Sequence, residues 1–147
     1  MRPFRPIARV IIIDAGRIVL LERHRQGRHY FVFPGGGIDP GETPEQAAIR
    51  EAHEETGLEV VLERLAAQTT FHGSPQYFFL ARPVGGVLGS GDGPEFSQPP
   101  SEQSGTYAPC WVNLADLPHL TVLPASVAQL AAQYPSCPEQ VMVFEEE

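Results

Sequence analysis

The chain is poor in cysteine, in basic residues and in uninterrupted apolar stretches, and each shortage removes a class of protein. Its two cysteines, Cys110 and Cys137, form no CxxC or other metal spacing. They read as buried or incidental thiols, which excludes a disulfide framework and a cysteine-based zinc module and fits a reducing, cytoplasmic setting. Positive charge is scarce: 10 Lys and Arg stand against 18 Asp and Glu, a formal net charge of −8. That balance argues against a nucleic-acid backbone as partner. It leaves small phosphorylated molecules open, because a bound cation reverses the local field. The first ten residues, MRPFRPIARV, turn from basic to apolar. Arg9 and Asp14 interrupt the run well short of a membrane span or a signal peptide, so no membrane partner is expected. No internal repeat and no second domain is read in these residues. At 147 residues the chain reads as one domain, 1–147, long enough to bury a core.

What is there is concentrated in residues 35–58, GGGIDPGETPEQAAIREAHEETGL. Thr43, Pro44 and Gln46 form a helix start: a cap, a proline for the first turn and a capping-box partner. Gly57 suits a left-handed helix exit. Ala47, Ala48, Ile49 and Ala52 predict a small apolar face that lets the helix sit close against a sheet. Glu51, Glu54 and Glu55 lie at i, i+3 and i+4, so three carboxylates share one side of the helix. They repel one another and crowd the end where the macrodipole disfavours negative charge. Two local rules broken together point to a functional site. A solvated face, with Arg50 paired to Glu54, is the plainer alternative.

The glycine turn Pro34-Gly35-Gly36-Gly37 shifts that balance. Three glycines let the backbone come close to a ligand with its amides and carbonyls free. Clustered carboxylates and a backbone carbonyl are the hard oxygen donors that Mg²⁺ or Mn²⁺ prefers, usually together with substrate phosphates. The spacing therefore suggests a metal-assisted phosphate site.

The same stretch resembles the Nudix box, G-x5-E-x7-R-E-U-x-E-E-x-G-U with U apolar. Gly36 opens it, Glu42 follows at the required distance, and Arg50-Glu51, Ala52, Glu54-Glu55, Gly57 and Leu58 complete it. Every fixed position matches; Ala52 is small for its apolar position. The resemblance implies an α/β/α sandwich, a mixed sheet flanked by helices. It implies hydrolysis of a phosphoanhydride in a nucleoside diphosphate linked to another group: a nucleoside triphosphate, ADP-ribose or another sugar nucleotide, or a dinucleoside polyphosphate. By resemblance, Glu51, Glu54 and Glu55 hold Mg²⁺ or Mn²⁺, with the carbonyl of Gly35 or Gly36 as a further ligand. The cation neutralises and orients the diphosphate and acidifies the attacking water. Glu54 is the first candidate base, with a loop acid as the alternative. Arg50 orients the carboxylates by bidentate pairing, and Glu42 supports them from behind or through water. His53 points about 100° away on the helix and reads as non-catalytic. A Nudix-fold binding or regulatory domain without turnover is the competing reading.

The remaining chain is read as scaffold and specificity loops. Residues 7–13 and 17–23 predict a hairpin around Asp14-Ala15-Gly16. Residues 25–28 predict a polar loop. Arg23, Arg25 and Arg28 with His24 and His29 make the most basic neighbourhood, read as a solvated loop or as substrate-phosphate contacts at the pocket rim. Residues 30–33 predict a short strand, and Phe71, Tyr77, Phe78 and Phe79 mark further strands. Residues 85–105, rich in Gly, Ser and Pro, predict a long loop. Nudix enzymes often draw a further carboxylate from such a loop, and Glu102 is the first candidate here, Glu95 the second. Residues 107–113 predict a strand and 114–117 a turn or short helix. Residues 122–134 predict a second amphipathic helix with Pro124 early in it. Residues 141–144 read as an edge strand, an arm pairing with a second subunit in a homodimer, or a frayed tail.

Overall fold

The computed structural model of the chain describes residues 5–71, 73–92 and 105–145. Its framework is a nine-stranded mixed sheet in two linked parts. β1 (Ile7–Asp14) joins them. At its C-terminal end β1 meets β2 (Arg17–Arg25) across the Ala15-Gly16 turn, with Ile13 opposite Ile18. Along its length β1 runs parallel to β6 (Ser74–Gly86). β6 pairs antiparallel with β5 (Leu58–Phe71), and β5 pairs with β9 (Met142–Glu145) at the edge. β2 continues the other part with β3 (Arg28–Val32) and β7 (Thr106–Asn113), and β3 ends against β8 (Val122–Leu123).

Two apolar clusters lie on opposite sides of the sheet. Even-numbered β1 residues Ala8, Val10 and Ile12 pack with Val19, Phe79 and Ala81 against helix α1 (Pro44–Thr56). Odd-numbered Ile11 and Ile13 pack with Ile18, Leu20, Phe31, Phe33 and Phe78 against helix α2 (Ala125–Ala131) and the 3-10 helix Leu114–His119. This period-two division makes the mixed sheet covered by helices on both sides that the box resemblance implies. No helix among the described residues is long and apolar enough to cross a membrane.

Four expectations are corrected. The glycine turn is a strand, β4 (Gly35–Gly37), pairing antiparallel with β1. Residues 25–28 are not a loop: Arg25 and Arg28 are a cross-strand pair, and only Gln26 and Gly27 turn, at φ 52° and 74°. The second helix is shorter than its apolar pattern, because Val122 and Leu123 are taken by β3 and Pro124 caps the helix from outside. Residues 85–105 are not all loop, since β6 runs to Gly86 and Gly105 forms a bridge immediately before β7. The C-terminal segment adopts the edge-strand alternative, with Met142 opposite Ala67 and Phe144 opposite Thr69.

Candidate metal and catalytic site

Helix α1 is built as its ends predict. Thr43 Oγ1 accepts from the Gln46 N–H at 3.1 Å, and Gln46 Oε1 accepts from the Thr43 N–H at 2.9 Å. Both bonds of the capping box satisfy N–H groups that the first helical turn leaves open. Gly57 leaves the helix at φ 82°, its N–H donating to the His53 carbonyl at 2.9 Å. Ala47, Ala48 and Ala52 are fully buried, which draws the helix onto the sheet. Ile49 does not join them: it is 44% exposed, because the buried stripe runs through Ala48, Ala52 and Glu55 instead. His53 is exposed.

Arg50 organises the acidic side. Its Nε reaches Glu42 Oε2 at 2.8 Å and its Nη2 reaches Glu42 Oε1 at 2.9 Å. Nη1 donates to Glu51 Oε1 at 2.9 Å and to Glu54 Oε2 at 3.2 Å. Nη2 also donates to the Gly37 carbonyl at 3.1 Å and lies 3.5 Å from Asp39 Oδ2. Hydrogen bonding to Glu42 is the largest of the effects that hold the guanidinium charged. In return, Arg50 and the Asp39 N–H lower the Glu42 carboxyl to about 2. A planar fork with five donors can serve all these acceptors at once, which a lysine could not.

The glycines set the depth of the site. Val10 N–H bonds the Pro34 carbonyl at 2.9 Å and Ile38 N–H bonds the Pro6 carbonyl at 3.0 Å. Antiparallel ladders alternate, so Gly36 directs its backbone groups into β1, and Gly35 and Gly37 direct theirs away from it. Gly37 uses its carbonyl on Arg50. Gly36 has another role: a Cβ there would stand 2.5 Å from the Glu51 carboxyl. The absent side chain is the space that Glu51 occupies.

Residues 87–92 close the C-terminal end of α1. Gly89 N–H bonds the Thr56 carbonyl at 2.9 Å, and any Cβ on Gly91 would run into the Glu54 backbone carbonyl. The segment leading to Glu95 and Glu102 thus starts against the last turn of α1. Both of those acids lie outside the described residues.

The site places Glu51 and Glu54 on one guanidinium nitrogen, with Glu55 beside them on the helix and only 8% exposed. Arg50 stands between the first two, and the three helix carboxylates do not converge on one point. Among the described residues, the group of three ligand-type side chains whose donor atoms all lie within 4.8 Å is instead Glu22, His24 and His29, on the β2–β3 hairpin. The basic neighbourhood therefore divides by strand alternation. Arg23 and Arg28 lie over Tyr30 on the side of β2 that carries Val19, and Arg23 also lies 3.9 Å from the Tyr107 ring centre. His24 and His29 take the other side. Of the aromatics marked by the sequence, Phe78 and Phe79 are core. Tyr77 lines an open cavity of about 460 Å³ at the N-terminal end of α1, away from the carboxylates.

Fold and site together define an α/β sandwich domain that presents an arginine-braced carboxylate helix against a glycine strand. The chain belongs to the Nudix family: the family's domain model matches residues 3–134. An RNA pyrophosphohydrolase from Tolumonas auensis is 51% identical over 55 residues, 37% of this chain and 31% of that protein. The chain thus matches about a third of that relative's length. A crystal structure of an ADP-ribose pyrophosphatase from Streptococcus suis superimposes with TM-score 0.67 at 21% identity, covering 97% of this chain and 98% of the other. A Nudix hydrolase from Nitrosomonas europaea gives TM-score 0.71 at 15% identity, covering 99% and 81%. At such identities the structural likeness concerns the fold.

Two arrangements escaped sequence reasoning. Asp39 and the Gly37 carbonyl are partners of Arg50, and only the pairing of β4 with β1 brings them there. The Glu22, His24 and His29 group had a readable signal: two alternating strand positions facing a third across a two-residue turn.

Proposed function

We propose that the chain is a divalent-metal-dependent hydrolase of a phosphoanhydride bond in a nucleoside diphosphate linked to another group. The observation that carries this reading is the Arg50 brace on Glu42, Glu51 and Glu54. Glu51, Glu54 and Glu55 crowd negative charge at the disfavoured end of a helix. A cation explains that crowding, and the donor set is all oxygen, which suits Mg²⁺ or Mn²⁺. Gly35 is the better carbonyl candidate, since Gly36 turns its own into the β1 ladder.

In this reading Glu51, Glu54 and Glu55, which do not converge around Arg50, would turn to hold the cation. When bound, it supplies charge neutralisation of the diphosphate and acidification of water. The protein's own residues do the rest. Arg50 holds Glu51 and Glu54 on one nitrogen, so both carboxylates turn from it to meet on a single cation. Glu54, the more exposed of the two at 33% against 14%, takes a proton from the attacking water as general base. Glu102, or Glu95 after it, is the loop acid that can share this work. Arg28, exposed on the sheet side, meets phosphate oxygens, and Arg23 is buried against Tyr30 and Tyr107 behind it. The substrate is a small phosphorylated nucleotide. The relative named RNA pyrophosphohydrolase adds a pyrophosphate group on RNA to the candidates, beside nucleoside triphosphates, ADP-ribose, sugar nucleotides and dinucleoside polyphosphates.

A turnover screen of these substrates on metal-stripped protein, with and without Mg²⁺ or Mn²⁺, tests the reading. Metal-dependent cleavage is expected. Ligand-induced thermal stabilisation with no product would support a binding domain instead.

A further inference from the structure

The alternation that places Arg23 on one side of β2 sends Glu22 and His24 to the other, the side of Leu20 and helix α2. The two-residue turn at Gln26 and Gly27 sets His24 directly across from His29. Their imidazole rings stack, 4.4 Å between centres and 5° between planes. His29 Nε2 lies 2.7 Å from Glu22 Oε2. Beneath them the Phe31 ring, 7% exposed, contacts His29 at 5.3 Å and roots the group in the core. Side chains of His29 and Glu22 are 50% and 36% exposed, so the group opens to solvent.

We propose that Glu22, His24 and His29 form a binding site for a transition-metal dication of the zinc type, separate from the carboxylates of α1. The donor chemistry decides the metal class. Two imidazole nitrogens and one carboxylate oxygen suit Zn²⁺, Co²⁺, Ni²⁺ or Cu²⁺, whereas Mg²⁺ and Mn²⁺ favour the all-oxygen helix site. The donor atoms lie within 4.8 Å of one another on a hairpin closed by a tight turn, so a cation is reached by turning the two stacked imidazoles toward each other, without moving the backbone. A cation there replaces the contact between His29 Nε2 and Glu22 Oε2 and ties β2 to β3. Cys110, opposite Leu20 on the same side, is near enough for the Glu22 charge to add to the effect of burial in raising its thiol. It is not part of the converging group.

The test uses the full chain without an affinity tag, stripped of metal and dialysed against Zn²⁺ in excess Mg²⁺, so that hard-oxygen sites are filled. One zinc per chain is expected for the wild type, for Glu54→Gln and for Cys110→Ser. His24→Ala and His29→Ala should each bind at least about tenfold more weakly, with the far-ultraviolet dichroism of the metal-free wild type. The visible band of the Co²⁺-loaded protein should be lost in the same two variants. No bound zinc, equal binding by wild type and His29→Ala, or zinc lost in Glu54→Gln would each overturn the proposal.

Discussion

Arg50 and Glu42 meet at two points, Nε on Oε2 at 2.8 Å and Nη2 on Oε1 at 2.9 Å, eight residues apart across the start of α1. The pair joins the turn before the helix to its acidic side. The same guanidinium then carries Glu51, Glu54 and Gly37, so its geometry fixes the site as a unit.

Replacing Arg50 by Lys keeps the charge and loses the fork. Stability should fall by about 1–3 kcal/mol, the scale of charged hydrogen bonds left unmade. Turnover should fall more steeply, since Glu51 and Glu54 lose their shared brace. Urea unfolding and steady-state kinetics on the same preparation check both.

Acid stability should report on Glu42. Its carboxyl is lowered from 4.5 to about 2 in the folded chain, mainly by Arg50. A lowered carboxyl contributes stability that is fully present above its unfolded value and is lost as pH falls through the folded one. The contribution should be intact above about pH 4.5 and vanish toward pH 2. Glu42→Gln should therefore lose less stability than wild type across that window. Urea midpoints of both proteins at pH 6, 4 and 3 decide it, and parallel curves would remove Glu42 from the acid response.

Gly36→Ala should act through Glu51. The new methyl would stand 2.5 Å from that carboxyl, with the ladder to β1 holding the backbone in place. Overpacking costs about 1–3 kcal/mol in general, and a displaced Glu51 should weaken metal binding as well. A variant with wild-type metal affinity, measured by titration calorimetry, would contradict the assigned use of this glycine.

Much of this was legible from local pattern. The capping box of Thr43 and Gln46, the left-handed Gly57 and the β1–β2 hairpin depend on neighbours in sequence, and they stand where their residues predict. Two of the failures share one physical cause. Gly35, Gly36 and Gly37 carry no strand propensity, and Val122 and Leu123 sit within an apolar helical pattern. In each case a distant strand, β1 or β3, supplied the hydrogen bonds and overrode the local preference. The Arg50 brace was legible only in part. Spacing placed Glu54 one turn away, but Glu42, Asp39 and the Gly37 carbonyl arrive through the fold of the preceding turn.

The central claim is tested most directly by turnover of Glu54→Gln beside wild type. Both would be metal-stripped, then given nucleoside triphosphates, ADP-ribose, sugar nucleotides, dinucleoside polyphosphates and RNA carrying a pyrophosphate group, with and without Mg²⁺ or Mn²⁺. Products would be identified by mass. Metal-dependent cleavage by wild type, reduced by orders of magnitude in a variant that melts normally, is the predicted result. Near-normal metal-dependent cleavage by Glu54→Gln would contradict the assignment of the site.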